Sequence, residues 1–192
     1  ELVGGNDSGH TLDALSLSGL FTYRLPDSPA AFRHHHLLRD MLREKLRRSG
    51  RWARYTRRAG EVCHKHGRHI DAVDYFLQAG CFDDASVCIL EASELMLKTG
   101  RHKSLSAWLA RMPAEILTKS PRLMIVRGAA LEAEGRWNHA CVLYEQAATS
   151  CRTAEDREGL YYALWRMAEI ARRRGDQVRC VDLCTEALTH VA

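Results

Sequence analysis

No stretch of this 192-residue chain comes near ~18 consecutive apolar residues, so no membrane-spanning helix is expected. No cationic segment followed by an apolar run marks a secretory leader. Four prolines and 13 glycines are too few for a low-complexity chain. A G-x-x-x-x-G-K-[ST] phosphate loop is absent, which excludes ATP hydrolysis by that route within these residues. Also absent are a Ser/His/Asp or Cys/His nucleophile arrangement and paired carboxylates in a hydrolase context, so no catalytic residue is expected. The seven cysteines are an odd number. Cys63, Cys141, Cys180 and Cys184 fall where small buried hydrophobes belong, so reduced structural thiols in a cytoplasmic protein are expected. The chain opens Glu1-Leu2-Val3 and reads as an excised piece of something longer.

What is present is a register of glycines. Gly67, Gly100, Gly135 and Gly175 stand 33, 35 and 40 residues apart, each between two helix-like stretches. Five residues on come Ala72, Leu105, Ala140 and Cys180; nine on come Phe76, Leu109, Tyr144 and Cys184; twelve on come Ala79, Met112, Ala147 and Ala187. A helix-turn-helix unit repeated about every 34 residues cannot bury its apolar face alone, and stacking makes an α-solenoid. The pattern predicts helical hairpins over 51–66 with 69–79, 82–98 with 101–111, 121–134 with 136–151, and 157–174 with 177–191. Small residues (Gly60, Gly128, Ala168) let paired helices approach, while Phe76, Leu109 and Tyr144 fill the gap. Pro113 and Pro121 bracket the link between the second and third hairpins, and Pro121 suits a first helical turn after Ser120. The segment Thr153 to Glu158 accounts for the longer 40-residue step. Gly128, Leu131, Gly135, Ala140, Tyr144 and Ala147 together look like a tetratricopeptide repeat.

The first 50 residues differ. Residues 1–11 read as a loop, with Thr11 as N-cap of a short helix that Gly19 ends. Leu20 to Leu25 reads as a strand, Pro26 to Pro29 as a turn and Ala31 to His35 as a returning strand. Leu37, Leu38, Met41, Leu42 and Leu46 then make an apolar helical stripe, with Leu37 and Leu38 expected to anchor that helix in the core. This order is that of the later part of a winged-helix module. Two domains follow: 1–50, the C-terminal part of a winged helix, and 51–192, about four tetratricopeptide-like hairpins in a mostly α fold with one short β-hairpin. Between Arg33 and Arg58 stand ten Arg or Lys against Asp40 and Glu44. Without aromatic interleaving or a DNA-reading motif, that run reads as a solvated basic face rather than a nucleic-acid site.

The stretch Phe32-Arg33-His34-His35-His36-Leu37-Leu38-Arg39-Asp40-Met41-Leu42-Arg43-Glu44-Lys45-Leu46 resembles the join between winged helix and helical repeats in MalT-like, LuxR-type ATP-dependent transcriptional regulators, members of the signal-transduction NTPases. The resemblance implies a longer parent with an ATP/ADP-binding domain ahead of these residues, and repeats that sense a protein partner or small-molecule inducer. It also implies contact between this block and the nucleotide-binding domain, and DNA binding only through a further domain. No LuxR-type helix pair is present at the C-terminus, where Thr185 to Ala192 ends a repeat helix. His34-His35-His36-Leu37-Leu38-Arg39-Asp40 is similar to the Met-His-Asp-type motif of related nucleotide switches. The similarity implies that His35 senses a nucleotide phosphate in the parent, with His36 standing where the family has an acid.

Two further clusters bear on chemistry. Adjacent histidines alternate sides on a strand, so His34, His35 and His36 do not converge on one ion. Cys63, His64, His66 and His69 bracket one turn without a second pair at finger-like spacing, so a polar turn rather than a metal site is expected, and no cofactor within these residues. Trp52, Trp108, Trp137 and Trp165 recur along the repeats and read first as packing residues, then as candidates for a ligand groove whose position the sequence leaves open. The rival to a regulator is a tetratricopeptide-type protein-binding scaffold without a nucleotide switch.

Overall fold

The computed structural model describes residues 8–19, 21–25 and 28–190. Helix α1 (Ser8–Leu17) leads into β1 (Thr22–Leu25) and β2 (Ser28–His34), an antiparallel pair in which Thr22 faces His34 and Arg24 faces Phe32. Helix α2 (His36–Arg48) follows. Four hairpins come next: α3 (Trp52–Lys65) with α4 (His69–Ala79), α5 (Phe82–Lys98) with α6 (His102–Ala110), α8 (Pro121–Ala133) with α9 (Trp137–Thr153), and α10 (Arg157–Arg174) with α11 (Gln177–Leu188). Among the described residues no strand lies beyond His34. The chain is thus mostly α, a solenoid of helical hairpins behind a small β-hairpin module. No helix among the described residues is long and apolar enough to cross a membrane.

The glycine register has a backbone cause. Gly67, Gly100, Gly135 and Gly175 all hold φ between +69° and +79°. Each follows the first helix of its hairpin, where the next residue's N–H reaches back five residues: Arg68 to Cys63 O, Arg101 to Met96 O, Arg136 to Leu131 O and Asp176 to Ala171 O, at 2.7–3.0 Å. This is a Schellman ending, which satisfies a carbonyl the helix leaves unpaired and needs a residue at ease in the left-handed region. The turn between α9 and α10 uses the same closure, Asp156 N–H to Cys151 O at 3.0 Å, but the left-handed residue is Glu155 at φ +55°. Exposed Glu155 therefore carries a backbone cost that glycine would not. Glu155→Gly is expected to raise the unfolding free energy by about 0.5–1 kcal/mol in urea titrations, whereas the same replacement at a mid-helix exposed residue lowers it.

Register positions behave as packing positions. Ala72, Leu105 and Ala140 are fully buried, as are Tyr144 and Ala147. A side-chain carbon added to Gly60 would lie 2.8 Å from the Phe76 ring, and one on Gly128 would lie 2.4 Å from the Tyr144 ring. Both pairs are sixteen residues apart at the same place in the first and third hairpins. Helix α8 packs on two sides: Leu123, Val126 and Ala130 join the core of the first two hairpins, Met124 that of the last two. A helix buried on both sides needs no polar stripe.

Several expectations are corrected. The first helix begins at Ser8, so Thr11 lies inside it and is not its N-cap; residues 1–7 of the expected loop fall outside the described residues. β1 starts at Thr22, because Phe21 adopts φ +53° and cannot extend the strand. Leu20 and positions 26–27 of the expected turn also fall outside the described residues, and position 28 already belongs to β2. The returning strand ends at His34, not His35. Helix α2 buries none of its residues; Leu37, Met41 and Leu42 are exposed and Leu38 is half-buried, so the expected core anchor does not form. Between Pro113 and Pro121 lies an unexpected helix, α7 (Ala114–Lys119), which tucks Leu117 into the core. In the fourth hairpin Cys184 is exposed rather than filling a gap. All seven cysteines are free thiols.

Candidate functional site

His35 sits at the joint between the β-hairpin and α2. Its backbone N–H donates to Phe21 O at 2.6 Å, closing the hairpin one residue beyond the ladder. Its φ of −56° and ψ of 143° make it the N-cap of α2, and its Nδ1 accepts the Leu37 N–H at 3.3 Å. An imidazole whose Nδ1 accepts carries its proton on Nε2 when neutral. The cap thus selects the tautomer, leaving Nε2–H as a donor for an outside acceptor. The ring is half-buried, 5.7 Å from Phe21 and 4.1 Å from the His36 ring. His34 faces elsewhere: its Nδ1 lies 2.9 Å from the hydroxyl of buried Thr22, across the strand pair. The triplet therefore splits into a ladder histidine, a cap histidine and a first-turn histidine, as strand and cap geometry require.

A concave cleft of about 590 Å³ runs across the first helices of three successive hairpins, α5, α8 and α10. Leu90, Leu97, Ile125 and Val126 form an apolar floor, with Tyr162 and Trp165 on one wall. Arg122 is held at the rim by Glu158 at 2.7 Å and Asp156 at 3.5 Å. The Arg166 guanidinium lies 5.3 Å from the Trp165 ring centre. Of the four tryptophans, Trp165 is the one that lines this cleft, and it is 44% exposed. Trp108 is buried and donates its indole N–H to Asp74 at 3.1 Å. Trp52 is half-buried beneath Arg47, and Trp137 packs beside the second core. Spacing alone did not separate these roles, because exposure depends on which helix of each hairpin carries the ring.

Half of the ten cations between Arg33 and Arg58 pair with nearby acids: Arg39 and Arg43 with Asp40, Arg48 with Glu44, and Arg57 and Arg58 with Glu61 just beyond the run. Such a face is a solvated helix surface. In the turn cluster, the Cys63 thiol is buried and accepts from Arg68 at 3.2 Å. His66 is exposed at the helix end, while the His64 and His69 rings meet edge to face at 5.3 Å. Cys88, on the next hairpin, lies 3.2 Å from His64 Nδ1. Burial first, then Glu91 and Asp84, push its thiol up to about 11. It therefore stays protonated near neutrality and is a poor nucleophile by itself.

Residues 1–54 match the family model of the MalT winged helix domain. The match covers α1, the β-hairpin, the His35 joint and α2, and it supports a MalT-like regulator with a winged-helix module. The chain has no match among curated proteins.

Proposed function

We propose that the chain is the non-catalytic regulatory and sensing block of a MalT-like, LuxR-type ATP-dependent transcriptional regulator that works in the cytoplasm. The observation that carries the reading is the MalT winged-helix match over residues 1–54, followed directly by stacked hairpins with an aromatic cleft. In this reading the hairpins are tetratricopeptide-like, and the cleft beside Trp165 takes a protein partner or small-molecule inducer. His35 donates its Nε2–H to a phosphate oxygen of ATP or ADP held by a nucleotide-binding domain of the parent. The block itself neither hydrolyses ATP nor reads DNA.

The geometry at His35 chooses the variant that tests this. His35→Ala removes both the cap and the donor, and loss of a cap alone costs about 1 kcal/mol. His35→Asn keeps a side-chain acceptor at the N-cap and removes the imidazole N–H. In the full-length parent, His35→Asn is expected to keep the melting temperature and to weaken nucleotide affinity roughly ten- to a hundredfold. That range corresponds to losing one charge-assisted hydrogen bond of about 1.5–3 kcal/mol. Trp165→Ala is expected to blunt the response of a transcriptional reporter to inducer without changing nucleotide affinity. Unchanged affinity and output in His35→Asn would reduce His35 to a cap.

A further inference from the structure

Helix α3 ends, α4 begins and α5 passes alongside at one place, and four metal-ligand side chains meet there. His64 comes from the last turn of α3, His69 is the first residue of α4, and Cys88 and Glu91 are three apart on one face of α5. One donor atom from each lies within 4.8 Å of the other three. His64 Nδ1 is 3.2 Å from Cys88 Sγ and 3.4 Å from Glu91 Oε2, and His69 Nδ1 is 2.8 Å from the same carboxylate oxygen. A tetrahedral centre with bonds of about 2.0–2.3 Å has ligand–ligand edges of roughly 3.3–3.6 Å; the two His64 separations match that edge, while the His69–Glu91 separation is shorter and would open on binding.

The hydrogen bonding of the cluster is incomplete. His69 Nδ1 is shielded from solvent and makes no hydrogen bond. Glu91 lies near enough, but off the direction an N–H···O bond needs. A shielded imidazole nitrogen that makes no hydrogen bond is costly in an ordinary surface turn. A cation would give the two imidazole lone pairs, the sulfur and the carboxylate one shared acceptor. Two imidazoles, a thiolate and a carboxylate suit Zn²⁺ rather than Mg²⁺ or Ca²⁺, which prefer all-oxygen sites. Cys88 is buried while His64, His69 and Glu91 are part-exposed, so an ion enters from solvent and closes against the core.

We propose that His64, His69, Cys88 and Glu91 form a Zn²⁺ site that staples the first hairpin to the first helix of the second. On binding, the Cys88 thiol releases its proton to solvent and the sulfur binds the ion as thiolate; nothing is oxidised or reduced. All four positions are filled by protein, so the role is structural: the ion fixes the angle between successive hairpins at the start of the solenoid.

The test uses the full 192-residue chain stripped with a chelator, with Co²⁺ as spectroscopic probe and Zn²⁺ as competitor. One Co²⁺ per chain is expected, with the intense visible bands of tetrahedral cobalt and an ultraviolet thiolate-to-metal band, both erased by Zn²⁺. Cys88→Ser is expected to lose the thiolate band. His69→Ala, at a helix start where the change is mild, is expected to bind at least about tenfold more weakly, since even an outer-shell partner is worth 10–100-fold. His66→Ala, a neighbouring histidine outside the cluster, is expected to bind as the parent does. Zn²⁺ is expected to raise the melting temperature of the parent and not of His69→Ala. A weak six-coordinate spectrum, no thiolate band in the parent, or equal affinities for His69→Ala and His66→Ala would overturn the site. If Cys88→Ser fails to fold, the two histidine variants still decide.

Discussion

Gly128→Leu is expected to lower the unfolding free energy by about 3 kcal/mol or more, a large part of the 5–15 kcal/mol typical of a whole domain. The first added carbon would already stand 2.4 Å from Tyr144 Cε1 and 2.9 Å from two further ring atoms. Tyr144 cannot swing aside, because its ring is fully buried and its hydroxyl donates to Glu132 Oε2 at 3.0 Å. Any displacement of the ring that makes room also breaks that bond. Gly128→Ala should cost less, about 1–2 kcal/mol, since the better helix propensity of alanine offsets up to ~1 kcal/mol of the clash. Gly60 supplies the contrast. Its added carbon would meet the Phe76 ring at 2.8 Å, and Phe76 has no hydroxyl to tether it. Gly60→Leu should therefore cost less than Gly128→Leu. Urea titrations showing Gly128→Leu within 1 kcal/mol of the parent would mean that α8 and α9 are not held at that spacing.

The glycine–aromatic pairs show why hairpin positions were readable from the sequence. A left-handed turn residue and a small residue seven places earlier are local demands of the backbone, so they leave letters behind at Gly60 and Gly67, and at Gly128 and Gly135. The ends of the paired helices followed from the same signals, within the blur usual at helix ends. Helix α7 did not announce itself, because six residues are too few to show a period. The stripe on α2 does not become a core anchor, since an amphipathic period gives a helix an apolar face without saying what lies against it. The sequence extends the strand to His35 because alternation runs to its neighbour His34, and the cap geometry that ends the strand has no signature for histidine. The His64, His69, Cys88 and Glu91 cluster was invisible for a different reason. His64 and His69 close one turn, but Cys88 and Glu91 arrive from the next hairpin, and only the stacking angle brings them within reach. The cleft at Trp165 is likewise a property of three hairpins together.

The same stacking creates a buried charge, and the second large effect lies there. Glu132 on α8 has a side chain only 5% exposed. Tyr144 donates to one of its oxygens, and Arg166 and Arg173 of the next hairpin approach at 3.7 and 3.5 Å. Arg173 also pairs with Glu169, whose carboxyl is held down to about 2, chiefly by its hydrogen bond to Arg172 and then by that to Arg173. A buried ion pair adds little over an apolar replacement, but removing one side strands the other. Arg166→Ala with Arg173→Ala is expected to cost about 3–5 kcal/mol, because Glu132 then keeps only the tyrosine hydroxyl. Adding Glu132→Gln to that pair should recover a substantial part of the loss, since an amide carries no charge and still accepts from Tyr144. The coupling between the positions therefore has a sign: the triple variant is more stable than the double one. Independent losses that simply add would show that Glu132 is solvated in the folded protein, and that its charge does not help to hold the third and fourth hairpins together.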